Sequence, residues 1–190
     1  MQSNQTAYIT FPMIDGTHDK ELVKDAVRGK SSAFGSLYDR YQPMIYRFVF
    51  VKVGRREDAE DITHQVFMAA WQNIKGYKDM GHPFSSWLYQ IARNHVIDHY
   101  RAKKSETSLE KMDPDYFVMP ATAQFDLSTK IEMEKVRKAI GELKPDYQDV
   151  IIMRFIEDLP LKEVASAMDK TEGAVKLMQH RAIKELKKIL

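Results

Sequence analysis

The chain contains no cysteine. Disulfide frameworks, thiol nucleophiles and cysteine-based zinc or iron–sulfur sites are therefore excluded. No apolar run approaches the ~18–20 residues needed to span a bilayer. The first sixteen residues, MQSNQTAYITFPMIDG, carry no basic residue ahead of an apolar stretch, which does not fit a secretory signal; a cytoplasmic protein is the expectation. Glycine-rich phosphate loops and G-x-S-x-G-type nucleophile motifs are also missing. His95 and His99 stand four apart, the spacing of a helical zinc pair. Val96 follows His95, however, so the glutamate of an HExxH motif is lacking. No catalytic residue, metal site, cofactor or small-molecule substrate is expected. The chain reads as a non-enzyme.

What is present is a chain of 190 residues, 44% hydrophobic and 29% charged, a balance typical of a folded soluble protein. Its net charge of +2 hides a dipolar distribution. Residues 57–61 (EDAED) hold four acids and no base. Residues 86–104 hold Arg93, Arg101, Lys103 and Lys104 against Asp98 alone. Residues 171–190 hold Lys176, Arg181, Lys184, Lys187 and Lys188 against Glu172 and Glu185. Two separated basic segments suit a polyanion gripped at two places.

Helical period dominates and strand alternation is not seen, so the expected class is all-α. The pattern predicts helices over residues 19–28, over 32–53 behind a Ser32 cap, over 58–74, and over 85–101 behind a Ser85 cap. Pro43 should bend the second, and Gly29 and Gly54 should stop the first two. Phe84 and Tyr89 are placed to staple the start of the fourth. Between the third and fourth lies a breaker-rich loop, GYKDMGHP. Period is lost over residues 103–128, which carry two prolines and, from residue 105 onward, five acids against one lysine. This is the composition of an extended linker, with Phe117, Val118, Met119 and Phe125 able to dock. The expected organisation is a tail over 1–18, a helical domain over 19–102, the acidic linker over 103–128, and a second helical domain over 129–190. Thr129 and Glu132 form a capping-box pair that opens the second domain. Pro145 and Pro160 then start further helices, the first bearing Val150, Ile151, Met153 and Phe155 inward.

Residues 161–188 have the form of a helix-turn-helix. The first helix buries Val164, Ala165 and Met168, and Thr171 can cap the second. Along that second helix Val175, Met178, Ala182, Leu186 and Ile189 recur at three and four. Its other face offers Lys176, Gln179, His180 and Arg181, with Glu172 and Gly173 at the tip. A small tip and one polar face are what entry into a major groove requires.

Three segments, DAEDITHQVFMAAW (58–71), FSSWLYQIARNHVIDHYR (84–101) and LPLKEVASAMDKTEGAVKLMQHRAIKEL (159–186), together with AFGSLYDRYQPMIYRF near the start, resemble regions two and four of an extracytoplasmic-function (ECF, group IV) bacterial sigma factor. The order and the intervening linker match as well. The resemblance implies that region two binds core RNA polymerase, here through Asp58, Asp61, His64, Gln65 and Phe67. It also implies melting of the promoter −10 element. On the −10 side the loop supplies Tyr77, Lys78 and Asp79, and the following helix supplies Gln90, Arg93, Asn94 and Arg101. Unpaired bases are held by stacking and by a pocket; Trp87, spaced with Leu88 and Ile91, reads as core rather than as a stacking platform. Region four would read the duplex −35 element through Thr171, Glu172, Gly173, Lys176, Gln179, His180 and Arg181. The common Ser-Arg-Leu run is replaced by Leu177-Met178-Gln179, which leaves Gln179 to read a base. His64 and Gln65 also depart from the usual Gln and Glu. An anti-sigma protein is the further partner that the resemblance implies.

Two rivals come from other classes. A dimeric helix-turn-helix repressor or activator would bind palindromic DNA without polymerase, but no dimerisation helix or sensor pocket pattern is evident. A helical adaptor would bind protein alone and show no salt-dependent DNA binding.

Overall fold

A computed structural model of the chain describes residues 16–79, 81–106 and 127–190. Every regular element among them is helical. Helix α1 (Gly16–Val27) packs along α2 (Ser31–Val53), and α3 (Arg56–Asn73) and α4 (Phe84–Glu106) complete the first half. The second half comprises α5 (Leu127–Gly141), α6 (Pro145–Ile151) with a π-helical continuation over Ile152–Ile156, α7 (Leu161–Ala167) and α8 (Glu172–Ile189).

The helix stops follow from backbone geometry. Gly54 ends α2 in the left-handed region at φ 75° and returns its N–H to the Phe50 carbonyl, a conformation that costs other residues a steric penalty. A Cβ there would also sit 2.8 Å from Arg137 Nη1 of α5. Pro43 lies inside α2 without ending it.

Several starts differ from expectation. Ser32 is inside α2 rather than capping it: Lys30 holds the cap position without a side-chain capping bond, its ammonium bonding Asp25 instead, and Ser32 offers its carbonyl to Ser36. Helix α4 begins one residue before Ser85 and continues to Glu106. Ser85 is thus a buried first-turn residue whose hydroxyl donates to Glu163 Oε2 at 3.4 Å. Helix α5 starts at Leu127, which puts Thr129 within it and not at its cap. Phe155, expected inward, is 55% exposed; the wider π-helical turn shifts the angular register that a 3.6-residue period assumes. The linker aromatics Phe117 and Phe125, with Val118 and Met119, lie outside the described residues.

Leu37, Ile45, Phe48, Val66 and Leu88 are buried in the first half, and Val150, Ile152, Met153, Val164 and Val175 in the second. These residues belong to one continuous apolar cluster. Helix α7 lies on α4, and the π-helical turn lies on α2. The two halves are packed together.

Candidate nucleic-acid interface

Helix α8 is presented by a short, well-capped turn. Met168 closes α7 and Asp169 adopts φ 52°. The N–H of Lys170 then reaches the Ala165 carbonyl at 2.9 Å, and that of Asp169 reaches Ser166 at 3.2 Å. This is the Schellman pattern, with aspartate in the position glycine usually fills. Two residues later Thr171 Oγ1 accepts from the Ala174 N–H at 3.2 Å, so the expected cap is present. Val175 and Ala182 hold the inner face. Thr171, Glu172, Gly173, Lys176, His180 and Arg181 are exposed. Leu177, on the same outer face, is 50% exposed. Gln179 is half-buried, its Oε1 accepting from Arg154 Nε at 3.3 Å.

The loop between α3 and α4 closes over an aromatic cluster. Tyr77 stands 5.1 Å from Trp87 and 5.5 Å from Phe84, and Phe84 stands 5.5 Å from Trp87. Trp87 is half-buried and packed against the core. Burial, helped by the Asp79 carboxylate, pushes the Tyr77 phenol up to about 12. Lys78 and Asp79 are exposed, and Asp79 accepts from the Gly81 N–H at 2.9 Å. A cleft of about 290 Å³ opens here, walled by Tyr77, Lys78, His82, Trp87 and Gln90, with Ser166 of α7 on its far side. Along α4, Asn94 and Arg101 are exposed, Arg101 beside Asp98 at 3.3 Å.

On α3, Asp61, His64 and Gln65 are exposed. Asp58 is half-buried, with Lys103 Nζ at 3.2 Å and His99 Nε2 at 3.6 Å from its Oδ2. Phe67 departs from the surface role expected of it. It is only 3% exposed and meets the Tyr38 ring edge-on at 4.7 Å. Met68 and Tyr38 are the exposed apolar groups of this neighbourhood. Of the histidine pair, His99 faces Asp58; among the described residues no group of three or more His, Asp or Glu side chains is placed to hold a metal ion.

A set of residues that sequence reasoning missed joins the two halves. Lys52, 7% exposed, bonds Asp149, 1% exposed. The second oxygen of Asp149 accepts from Arg93 Nε at 2.7 Å, while Arg93 Nη2 reaches Asp146 at 3.2 Å. Arg47 forks onto both oxygens of Glu157, at 3.0 and 2.7 Å. Ser86 donates to the Glu163 carbonyl at 3.2 Å. Burial raises the carboxyls of Glu157 and Glu163 above the ordinary range, against the pull of Arg47 on the first and of Ser85 on the second. Of the expected −10 residues, Arg93 is therefore engaged by the second half. A lysine on the apolar stripe of α2, four residues after Phe48, was the one legible signal of this joint.

An all-helical chain with a capped helix-turn-helix and a separate basic and aromatic surface belongs to the class of DNA-binding transcription proteins. The comparisons specify the family. The Sigma-70 region 2 family matches residues 37–106, and the Sigma-70 region 4 family matches residues 133–186. The chain is 32% identical over 179 residues to the ECF RNA polymerase sigma factor BldN of Streptomyces coelicolor, covering 93% of this chain and 67% of that protein. It is 29% identical over 180 residues to SigW of Bacillus subtilis, covering 90% and 96%. Among solved structures, CnrH bound to the cytosolic domain of CnrY matches with a TM-score of 0.69 at 23% identity, over 90% of this chain and 96% of that one. RpoE bound to NepR from Bartonella quintana gives 0.67 at 20%, over 82% and 95%. The chain belongs to the ECF RNA polymerase sigma factors and directs transcription. A dimeric polymerase-independent regulator is not favoured.

Proposed function

We propose that residues 19–102 bind core RNA polymerase and the −10 element, and that residues 129–190 read the −35 duplex. In this reading Lys176, His180 and Arg181 enter the major groove from α8. Gln179 supports them, and Thr171, Glu172 and Gly173 form the tip. Lys and Arg pair with phosphates or guanine edges, and a protruding helix N-terminus allows the close approach this needs. The observation that carries it is the exposure of that basic face on a helix locked by the Thr171 cap and the Asp169 turn.

Unpaired −10 bases would enter the cleft beside Tyr77, Lys78 and Asp79, with Gln90, Arg93, Asn94 and Arg101 tracking the strand. Asp58, Asp61, His64 and Gln65 would face a basic polymerase surface, Phe67 supporting that helix from within. The mode of action is binding rather than catalysis, without cofactor, metal or small-molecule substrate, in the cytoplasm. An anti-sigma protein is the proposed masking partner; the exposed apolar side chains Met133, Val136, Leu177 and Leu190 support it, since such groups favour a protein cover.

Run-off transcription on genomic fragments, with purified core polymerase with and without this chain, tests the reading. New defined starts only with the chain are expected. DNA footprints that form equally well without polymerase, and no new starts, would overturn it.

A further inference from the structure

Helix α8 carries an apolar side chain in the middle of its polar face. Val175 and Ala182 are buried in the core, and Met178, Ile183 and Leu186 rest against it. Leu177 stands on the other side and is 50% exposed. Among the described residues of α8, only Leu177 and Ile189 of the last turn are large, apolar and this open. At ~3.6 residues per turn, Gly173, Leu177 and Arg181 form one row along the helix, with His180 and Lys184 beside it. All five are exposed. Leu177 is at the centre of the outward face and not at its edge.

Gly173 leaves room around it. It lies in the first turn of α8, and a Cβ built on it would meet nothing within 4 Å. Neither packing nor a left-handed backbone asks for glycine here, and alanine is the better helix former. Long side chains on a helix lean back over the preceding turn, so Leu177 extends toward the surface that Gly173 leaves bare. The result is an apolar step beside a gap. Lys176, His180 and Arg181 surround it with the chemistry that attracts a polyanion.

We infer that Leu177 reads the C5-methyl group of a thymine in the −35 duplex, with Gly173 admitting the base edge. This rests on the functional reading above and names what that face selects. Base edges in the major groove present hydrogen-bond donors and acceptors and one apolar group, the thymine methyl. Leucine gains by covering that methyl. Against cytosine or guanine it strips water from N4, O6 or N7 and offers no hydrogen bond in return. The discrimination thus has an attractive and a repulsive part. Lys176 and Arg181, holding phosphates or guanine edges on either side, fix the leucine over one base step. A protein can cover the same leucine when no promoter is bound, yet its basic surround fits DNA.

The test changes one methyl group at a time. Holoenzyme formed from core polymerase and the full chain is titrated, at fixed salt, onto a promoter fragment found by run-off transcription. Each −35 thymine is replaced in turn by deoxyuridine, which pairs identically and lacks only the C5-methyl. One or two positions should weaken binding by about threefold to fivefold, the size expected for one buried methyl group. With Leu177→Ser that difference should vanish. Gly173→Ala should weaken binding to the thymine duplex while the thermal midpoint of the chain stays level or rises, so that a folding defect cannot account for the loss. Equal binding of thymine and uracil fragments by the native chain, or a uracil penalty that persists in Leu177→Ser, would overturn the inference. Native-strength binding by Gly173→Ala would do the same for the part given to the glycine. New starts in run-off transcription with no uracil effect overturn this inference alone; no starts at all overturn the functional reading beneath it.

Discussion

Arg93 of α4 donates from Nε to Asp149 of α6 across 2.7 Å, and the same carboxylate bonds Lys52 of α2. One acid of the second half thus neutralises two bases from two helices of the first. Asp149 sits beside Val150 and Ile151, both buried, in a stretch that reads as ordinary core. Its role emerges only once α6 is laid against α2 and α4.

Asp149 should therefore matter to stability more than a surface acid. Asp149→Ala leaves Lys52 and Arg93 without their shared carboxylate at a buried joint, and removing one partner of such a pair costs about 3–5 kcal/mol. Urea unfolding of this variant beside Asp98→Ala, whose partner is solvent-exposed, checks the contrast; equal small losses would mean that the joint adds nothing.

The two DNA surfaces should respond separately. Lys176→Ala and Arg181→Ala should each weaken duplex −35 binding by about 1–3 kcal/mol if they reach bases, or reduce the salt slope by about one if they hold phosphates. Tyr77→Ala should leave that duplex affinity intact and impair promoter opening, read by permanganate reactivity of −10 thymines. Normal opening by Tyr77→Ala would remove Tyr77 from the strand-holding role.

Thr171 is a cap by geometry and not by residue type alone, since its Oγ1 accepts from the Ala174 N–H. Thr171→Ala should lower stability by about 1 kcal/mol and Thr171→Ser by much less. Urea unfolding of the two variants supplies the comparison; equal losses would mean that the methyl group, not the hydroxyl, matters.

Asp169 occupies the left-handed conformation at φ 52° in the turn between α7 and α8. Glycine adopts this region without the Cβ penalty, so Asp169→Gly should raise stability by about 0.5–1 kcal/mol. A lower thermal midpoint would show that the Asp169 side chain makes a contribution larger than its backbone strain.

Glu157 predicts a pH dependence of definite sign. Burial holds its folded value above the ordinary 4.5, so the folded chain binds this proton more tightly than the unfolded one. Its contribution is therefore least favourable above the raised value, improves as pH falls through it, and is complete below about 4.5. Glu157→Gln imitates the protonated form, and Arg47, partly open to solvent, can turn to water. The variant should match or exceed the native chain at neutral pH, with the gap closing toward pH 4.5 in urea unfolding. A deficit at neutral pH that shrinks in acid would instead mark the Arg47 pair as the dominant contribution.

Much of this protein is legible along the chain. Val175 and Ala182 at helical spacing, Thr171 ahead of them and Pro145 at a helix start are local signals with local causes, and each is realised in the structure. Sequence order alone also carries the likeness to sigma regions two and four, which the matched families and relatives bear out. The features that differ have separate local causes. Ser32 and Ser85 look like caps because their residue type suits one, yet α2 begins at Ser31 and α4 at Phe84. An ideal period puts Phe155 inward, and the family role puts Phe67 on the surface. A π-helical turn exposes the first, and the neighbouring ring of Tyr38 covers the second.

The sequence by itself determined the helices, the helix-turn-helix and the family, because periodicity, turn chemistry and motif order act over a few residues or a linear register. Only the tertiary structure decided that Lys52, Arg93 and Asp149 meet. They are 97 and 56 residues apart in the two pairings with Asp149, and the place of Lys52 on an apolar stripe hints at a buried partner without saying which. Electrostatic pairing of this kind depends on how two separately formed surfaces dock, and that is a property of shape in three dimensions.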